Sequence, residues 1–219
     1  MKNIFALIIL FASVSAFAQS YNPASMEANQ QAQMVQVYGG LKYGTIWGVG
    51  YFQSFLIKNH PVWAGARFEI PSGKDLFDDH LEEISLATTV FQNGSYRINT
   101  GIGLIHRVTQ NPYVNMQNLG GEVEITTGIY RPKWHIAAEA VFDQSLSTRL
   151  THQPAYMEIY PEVQNGWYKG NGGNMRIGLQ GGYEFEHLGI NMKMGPSISS
   201  AGRPNLLFFY SVIGVNWRW

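Results

Sequence analysis

The sequence predicts an all-β chain, an up-and-down antiparallel barrel of about ten strands that crosses a membrane. Three observations carry this reading. From residue 33 onward, apolar and polar residues alternate at period two, the repeat of a strand whose two faces meet different surroundings. The breaks between the alternating segments are by turns short and long, as in a meander with tight turns at one end and loops at the other. Charged residues make up only 14% of the chain, against about a quarter in ordinary soluble domains, while glycine stands at 24 residues and aromatics at 14%.

The chain starts "MKNIFALIILFASVSAFAQS": a basic Lys2, a short apolar run, then Ala16-Phe17-Ala18 before Gln19. Residues 1–18 therefore read as a cleaved secretory signal, too short for a spanning helix of about 20 apolar residues. Residues 19–32 form a polar N-terminal segment, and 33–219 a single barrel domain. The chain has no cysteine, which rules out disulfides, thiolate metal sites, thiol nucleophiles and lipid attachment to a cysteine. A formal net charge of +0 gives a nucleic-acid partner no electrostatic support. No metal and no cofactor is expected.

The strands follow in order. "QMVQVYGGLKY" is the first; "WGVGYFQSFLI" and "VWAGARFEI" flank the short break at 58–61. "LEEISLATTVF" and "YRINTGIGLIHRV" flank Asn93-Gly94, a strong hairpin signal. "GEVEITTGIY" and "KWHIAAEAVFD" flank Arg131-Pro132, and "NMRIGLQGGYEF" and "LGINMKMGPSI" flank Glu186-His187. The long breaks are 71–80, 109–118, about 144–173 and 199–204. With the last strand the count is ten, an even number that puts both termini at the short-turn end. It falls to eight if the first hairpin does not span, since Gly39, Gly40, Gly44, Gly48 and Gly50 blur its alternation.

One face of these strands collects residues such as Phe68, Ile102, Val123, Ile136, Ile177 and Ile190. The other holds Arg67, Glu69, Glu83, Arg97, Arg107, Glu122, Glu124, His135, Glu139, Asp143, Arg176, Glu184, Lys193 and Arg218, with Lys42 nearby. Alternation alone does not say which face is inside. The aromatics do: Tyr96, Trp134, Tyr183, Phe185, Trp217 and Trp219 sit on the apolar face beside the short turns, and Phe68, Phe142 and Phe209 on that face at the long-loop ends. Two aromatic belts around a band of small and branched residues match the two lipid–water interfaces, so the charges belong in the lumen.

The last strand, "FFYSVIGVNWRW", alternates apolar residues and ends on an aromatic. It resembles the terminal signal of Gram-negative outer-membrane proteins, and the whole chain is similar to small outer-membrane barrels of the Bacteroidetes type. That resemblance implies an outer-membrane location, lipid and lipopolysaccharide as surroundings, and the barrel-insertion machinery as a partner of the C-terminal strand. It implies no activity.

The sequence offers few catalytic groups. His135, Glu139 and Asp143 share a face, but strand residues four apart lie about 13 Å from one another, too far for direct hydrogen bonds. His106 faces lipid near the outer rim, where lipid A deacylases place a His and a Ser; here only Thr109 follows, on the other face. Asp78-Asp79-His80 offers the residue types of an omptin-like protease in a solvated loop. Matched lumen charges in so narrow a barrel read as a salt-bridged plug, with pairs such as Arg67 or Arg97 with Glu83. The long loop at about 144–173 is rich in aromatics and reads as ordered, "AYMEIY" extending the preceding strand. Its His152, Tyr156, Tyr160, Trp167 and Tyr168 are candidate contacts for a surface glycan, lipopolysaccharide or protein. The expected function is a non-enzymatic surface-binding or envelope-assembly barrel, with a narrow porin-like pore as the second reading and a membrane-embedded lipid or peptide hydrolase as the third.

Overall fold

The computed structural model describes residues 21–30, 32–58, 60–72, 78–170, 172–199 and 204–219, with the backbone alone at 204–207. The expected signal at 1–18, residues 73–77 of the first long break and 200–203 of the last lie outside the described residues. In chain order the elements are α1 (Pro23–Ala28), β1 (Gln33–Leu41), β2 (Thr45–Ile57), β3 (His60–Pro71), β4 (Asp79–Asn93), β5 (Tyr96–Gln110), β6 (Val114–Arg131), β7 (Trp134–His152), α2 (Pro154–Ile159), β8 (Gly166–Lys169), β9 (Gly173–Glu184), β10 (Leu188–Ser199) and β11 (Pro204–Arg218).

Every strand pairs antiparallel with its chain neighbours, except that β7 meets β9 directly while the short β8 hangs on the outer part of β7. β1 pairs with β11 from Met34↔Arg218 to Leu41↔Ser211, and this closes a ten-stranded barrel with no free edge. The glycine-rich first hairpin is part of it, since β1 and β2 pair without interruption from Gln33↔Gln53 to Leu41↔Thr45. Its glycines have a packing reason. A Cβ on Gly48 would lie 2.2 Å from the Tyr38 ring, and one on Gly65 2.3 Å from the Phe52 ring. Large lumen side chains in a narrow barrel need a bare backbone on the next strand to lie against. At the β4–β5 turn Asn93 pairs with Tyr96, so the central residues are Gly94 and Ser95, one position beyond the Asn-Gly signal. Gly94 takes φ +60 at the first of them, as a type II′ turn requires.

The faces fall as alternation and aromatic placement indicate. Ile136 and Ile190 are exposed on the outside (53% and 42%), whereas Glu139 and Arg176 are buried inside. A belt of exposed apolar side chains around a charged interior is the inverse of a soluble barrel and has lipid as its only stable surroundings. Tyr96, Tyr183, Phe185, Trp217 and Trp219 are exposed near the short turns, and Trp134 is half-buried beside the Arg131 guanidinium, 5.4 Å from its ring. Trp47 joins Phe142 and Phe209 in the exposed belt at the long-loop end.

Sequence reasoning assigns residues 19–32 no structure beyond their polarity. The described part, 21–30, lies inside the short-turn end of the barrel. Asn22 caps α1 by accepting from the Ser25 amide at 3.3 Å, and Pro23 occupies the first turn, where its missing N–H costs nothing. Tyr21 and Met26 bury themselves against Met34, Phe52, Trp63 and Ala87. Polar ties hold the helix there. Arg97 donates twice to Glu27 at 2.8 Å each, Arg218 donates to Ser25 Oγ at 2.6 Å, and Asn22 donates to the Arg131 carbonyl at 2.7 Å.

Candidate functional site

Strand parity points every charged residue of the inner face at the axis, and the small radius makes residues from opposite walls meet. A cavity of about 770 Å³ opens at the long-loop end, lined by residues including Lys42, Tyr43, Arg107, Asn118, Asp143 and Arg176. Its floor is one continuous ion-pair chain across the lumen. Lys42 lies 3.0 Å from Glu69, Glu69 lies 3.6 Å from Arg67, and Arg67 reaches both Glu83 and, at 3.5 Å, Glu122. Arg176 continues the chain, 2.7 Å from Glu122 and 3.1 Å from Asp143, and Asp143 ends it 3.4 Å from Arg107. Tyr38 and Tyr43 donate to the two Glu69 oxygens at 3.0 and 3.1 Å. Four carboxylates face four cations here, so burial leaves little net charge.

Below this floor Glu139 pairs with Lys193 at 3.3 Å and accepts from the Tyr210 hydroxyl, close to the amide cluster of Gln36, Asn191 and Asn216. Lower still, Tyr130 stacks flat on His135 with centroids 5.5 Å apart, Gln180 donates to the Tyr130 hydroxyl at 3.1 Å, and Arg218 lies 3.0 Å from Glu184. Two further internal spaces have volumes of about 20 and 10 Å³, the second beside Glu124. α1 closes the bottom. Arg67 pairs with Glu83, whereas Arg97 does not, because Glu27 from the segment ahead of the barrel takes it. That partner is invisible to strand alternation.

The candidate catalytic groups are dispersed. His135, Glu139 and Asp143 each belong to a different layer of the lumen. His135 has no hydrogen bond to either ring nitrogen among the described residues and sits 3.8 Å from Glu184, held by stacking. His106 faces outward and bonds Glu82 at 3.0 Å, while Thr109 lines the inner cavity. Asp79 accepts from the Gln110 amide at 3.1 Å, and His80 packs beside Phe68 with centroids 5.6 Å apart.

The long loop is an arm. β6 and β7 run on together past the cavity, with a register shift between Leu119 and Gly120 that leaves Leu146 unpaired, and β8 adds a third strand. "AYMEIY" does not extend the strand: residues 154–159 form α2, because Pro154 has no N–H for the ladder and suits the first turn of a helix. His152 stacks on Tyr156 at 5.7 Å, and Tyr156 meets Tyr160 at 4.9 Å and Tyr113 at 5.8 Å. Asn165 accepts from the His152 amide at 2.7 Å, and Tyr168 donates to the Gln164 carbonyl at 2.7 Å. Tyr113, Tyr160, Trp167 and Tyr168 are exposed. Sequence reasoning did not place Tyr113, which precedes β6, in this cluster; only the β6–β7 pairing brings it there.

No family model and no curated protein sequence matches the chain. Among solved structures it is similar to the KdgM porin, at 7% identity over 85% of this chain and 99% of that one, with a TM-score of 0.42. It is also similar to the β domain of the Bordetella autotransporter BrkA (10% identity, 86% and 99% covered, TM-score 0.43). A third is the N-terminal β-barrel domain of Pseudomonas aeruginosa OprF (10%, 86% and 98%, 0.38). With its closed ring of strands, apolar exterior between aromatic belts and buried charge network, the chain is a ten-stranded outer-membrane β-barrel.

Proposed function

We propose that the barrel is a non-conducting, non-enzymatic anchor that presents a binding arm at the cell surface. The observation that carries this reading is the lumen filled with paired charged and polar side chains. Beneath the outer cavity lie an ion-pair floor, an amide and tyrosine layer and a helical plug, with small spaces of about 20 and 10 Å³ among them. Function then falls to the part the fold lifts clear of the membrane. There the aromatic cluster of Tyr113, His152, Tyr156 and Tyr160, with Tyr168 on the same side of the arm, presents rigid, amphipathic rings of the kind that dominate binding patches. A surface glycan or a protein is the partner class this chemistry fits.

Planar-bilayer recording of the purified protein tests the seal. No steady current is expected, and a stable, reproducible conductance step would replace this reading with the narrow pore. Crosslinked pull-down from native outer membranes, with wild type and Tyr156→Ala compared, tests the arm; a partner captured equally by both would remove the aromatic cluster from the interaction.

A further inference from the structure

The arm has an outward side as well as the side over the cavity. In register, Leu119, Ser147 and Lys169 form one row across β6, β7 and β8, and Gln117, Arg149 and Trp167 form the next. The alternate positions Asn118 and Thr148 line the cavity, so Ser147, Arg149, Trp167 and Lys169 face the opposite way. They continue the lipid-facing file of β7 beyond Phe142 and the Leu146 bulge. Arg149 and Lys169 are exposed, as is Trp167 at 57%, and neither cation has an ion-pair partner among the described residues. Glu82 and His106, also on this outward side, are paired with each other, and His106 sits in register with Leu119.

Their height locates them. At about 3.3 Å per residue and a strand tilt of about 40°, Ser147 stands roughly 10 Å above Phe142 along the membrane normal. That is the headgroup layer, and Arg and Lys are long enough to bend down into it. Two like charges at diagonal cross-strand positions repel unless an anion sits between them. An indole beside them suits an interface where one edge is greasy and the other wet.

We propose that Arg149 and Lys169, with Trp167 beside them, bind a phosphate of the outer-leaflet glycolipid, lipopolysaccharide, and so hold the arm against the membrane surface. The patch is continuous with the lipid-facing belt, which makes the lipid itself the occupant that reaches it. This site stands apart from the aromatic cluster and from the filled lumen, and its failure would leave both untouched.

The test counts lipid bound to the full barrel in detergent by native mass spectrometry. The probes are lipid A and lipid A stripped of its phosphates. Wild type should retain the phosphorylated form at least about tenfold better than Arg149→Glu/Lys169→Glu, the loss expected for charge-assisted hydrogen bonds. The charge-keeping Arg149→Lys/Lys169→Arg variant should retain it, and inorganic phosphate at matched ionic strength should not displace it. Migration of the unheated protein on a gel shows that each variant is folded. Equal retention by wild type and the double Glu variant overturns the proposal, as does equal retention of the two lipid forms. Displacement by millimolar inorganic phosphate would make the patch a free-anion site, and a dimer lost in the double Glu variant with lipid binding unchanged would assign it to a second copy; either result overturns it.

Discussion

Arg67 is the residue whose removal the lumen tolerates least. Its side chain, 4% exposed, touches Glu69, Glu83 and Glu122 at once. Glu69 also has Lys42 and Glu122 also has Arg176, so in Arg67→Met those two keep a counter-charge. Glu83 does not: Arg67 is its one ion-pair partner among the described residues. Stranding a buried carboxylate by deleting its partner costs about 3–5 kcal/mol. With a urea dependence of about 2 kcal/mol per molar, the unfolding midpoint should fall by about 2 M. The assay is urea titration of the protein refolded into detergent micelles, with the folded fraction read from migration of the unheated band. Arg67→Met/Glu83→Met removes both ends of the pair and should recover more than half of the loss, because no orphaned charge remains. A single-variant shift under about 0.5 M, or a double variant whose loss exceeds that of Arg67→Met, would show that the floor is not held together by this pair.

Three further outcomes follow from the same geometry. Ala138 lies midway between Trp134 and Phe142 on the outward file, so Ala138→Arg should destabilise the refolded barrel in lipid vesicles by about 2–4 kcal/mol; a neutral effect would mean that this face does not meet hydrocarbon. Met26 is 1% exposed under the barrel's apolar cluster, and Met26→Ala should cost about 2–5 kcal/mol in the same urea titration, whereas a helix that merely rests in the opening would lose under 1. Gly48→Ala drives a methyl into the Tyr38 ring and should cost about 1–3 kcal/mol, recovered in part by Tyr38→Leu; if Tyr38→Leu worsens it, the hollow over Gly48 is not the reason for that glycine.

Face assignment was legible because two independent periodicities agreed. The polar residues of β7, His135, Glu139 and Asp143, fall on one parity, and Trp134 and Phe142 on the other, so a single strand already shows belt, band and lumen. The site was less legible, for physical reasons that differ from case to case. Arg97 looks like a partner for a neighbouring strand until Glu27 arrives from a helix with no strand-like signal at all. "AYMEIY" has the alternation of a strand, but one missing N–H at Pro154 turns it into α2. Tyr113 is remote from Tyr156 in sequence, and only the pairing of Val114 with His152 makes them neighbours. Local pattern fixes which way a strand faces, whereas contacts across a lumen or between loop ends depend on closure, which no short window of sequence contains.

The lumen charges have a second consequence, which gives so costly an interior a role of its own. A strand slipped by one residue in its ladder exchanges its two faces. In β9 such a slip would turn Arg176 and Glu184 to the lipid-facing side and Ile177 and Tyr183 into the lumen. An Arg turned to lipid near the interface costs only about 0–1 kcal/mol, but leaving its buried lumen partners Glu122 and Asp143 without it adds about 3–5 kcal/mol. An apolar lumen would carry no such penalty, because either face of the strand would suit either side of the wall. Ion pairs spanning β3, β4, β6, β7 and β9 therefore act as a register lock: each strand is correct only when its neighbours are, and the reward for closure is shared among strands far apart in sequence. In a ring this narrow, the network that defines inside from outside also fills much of the space around the axis.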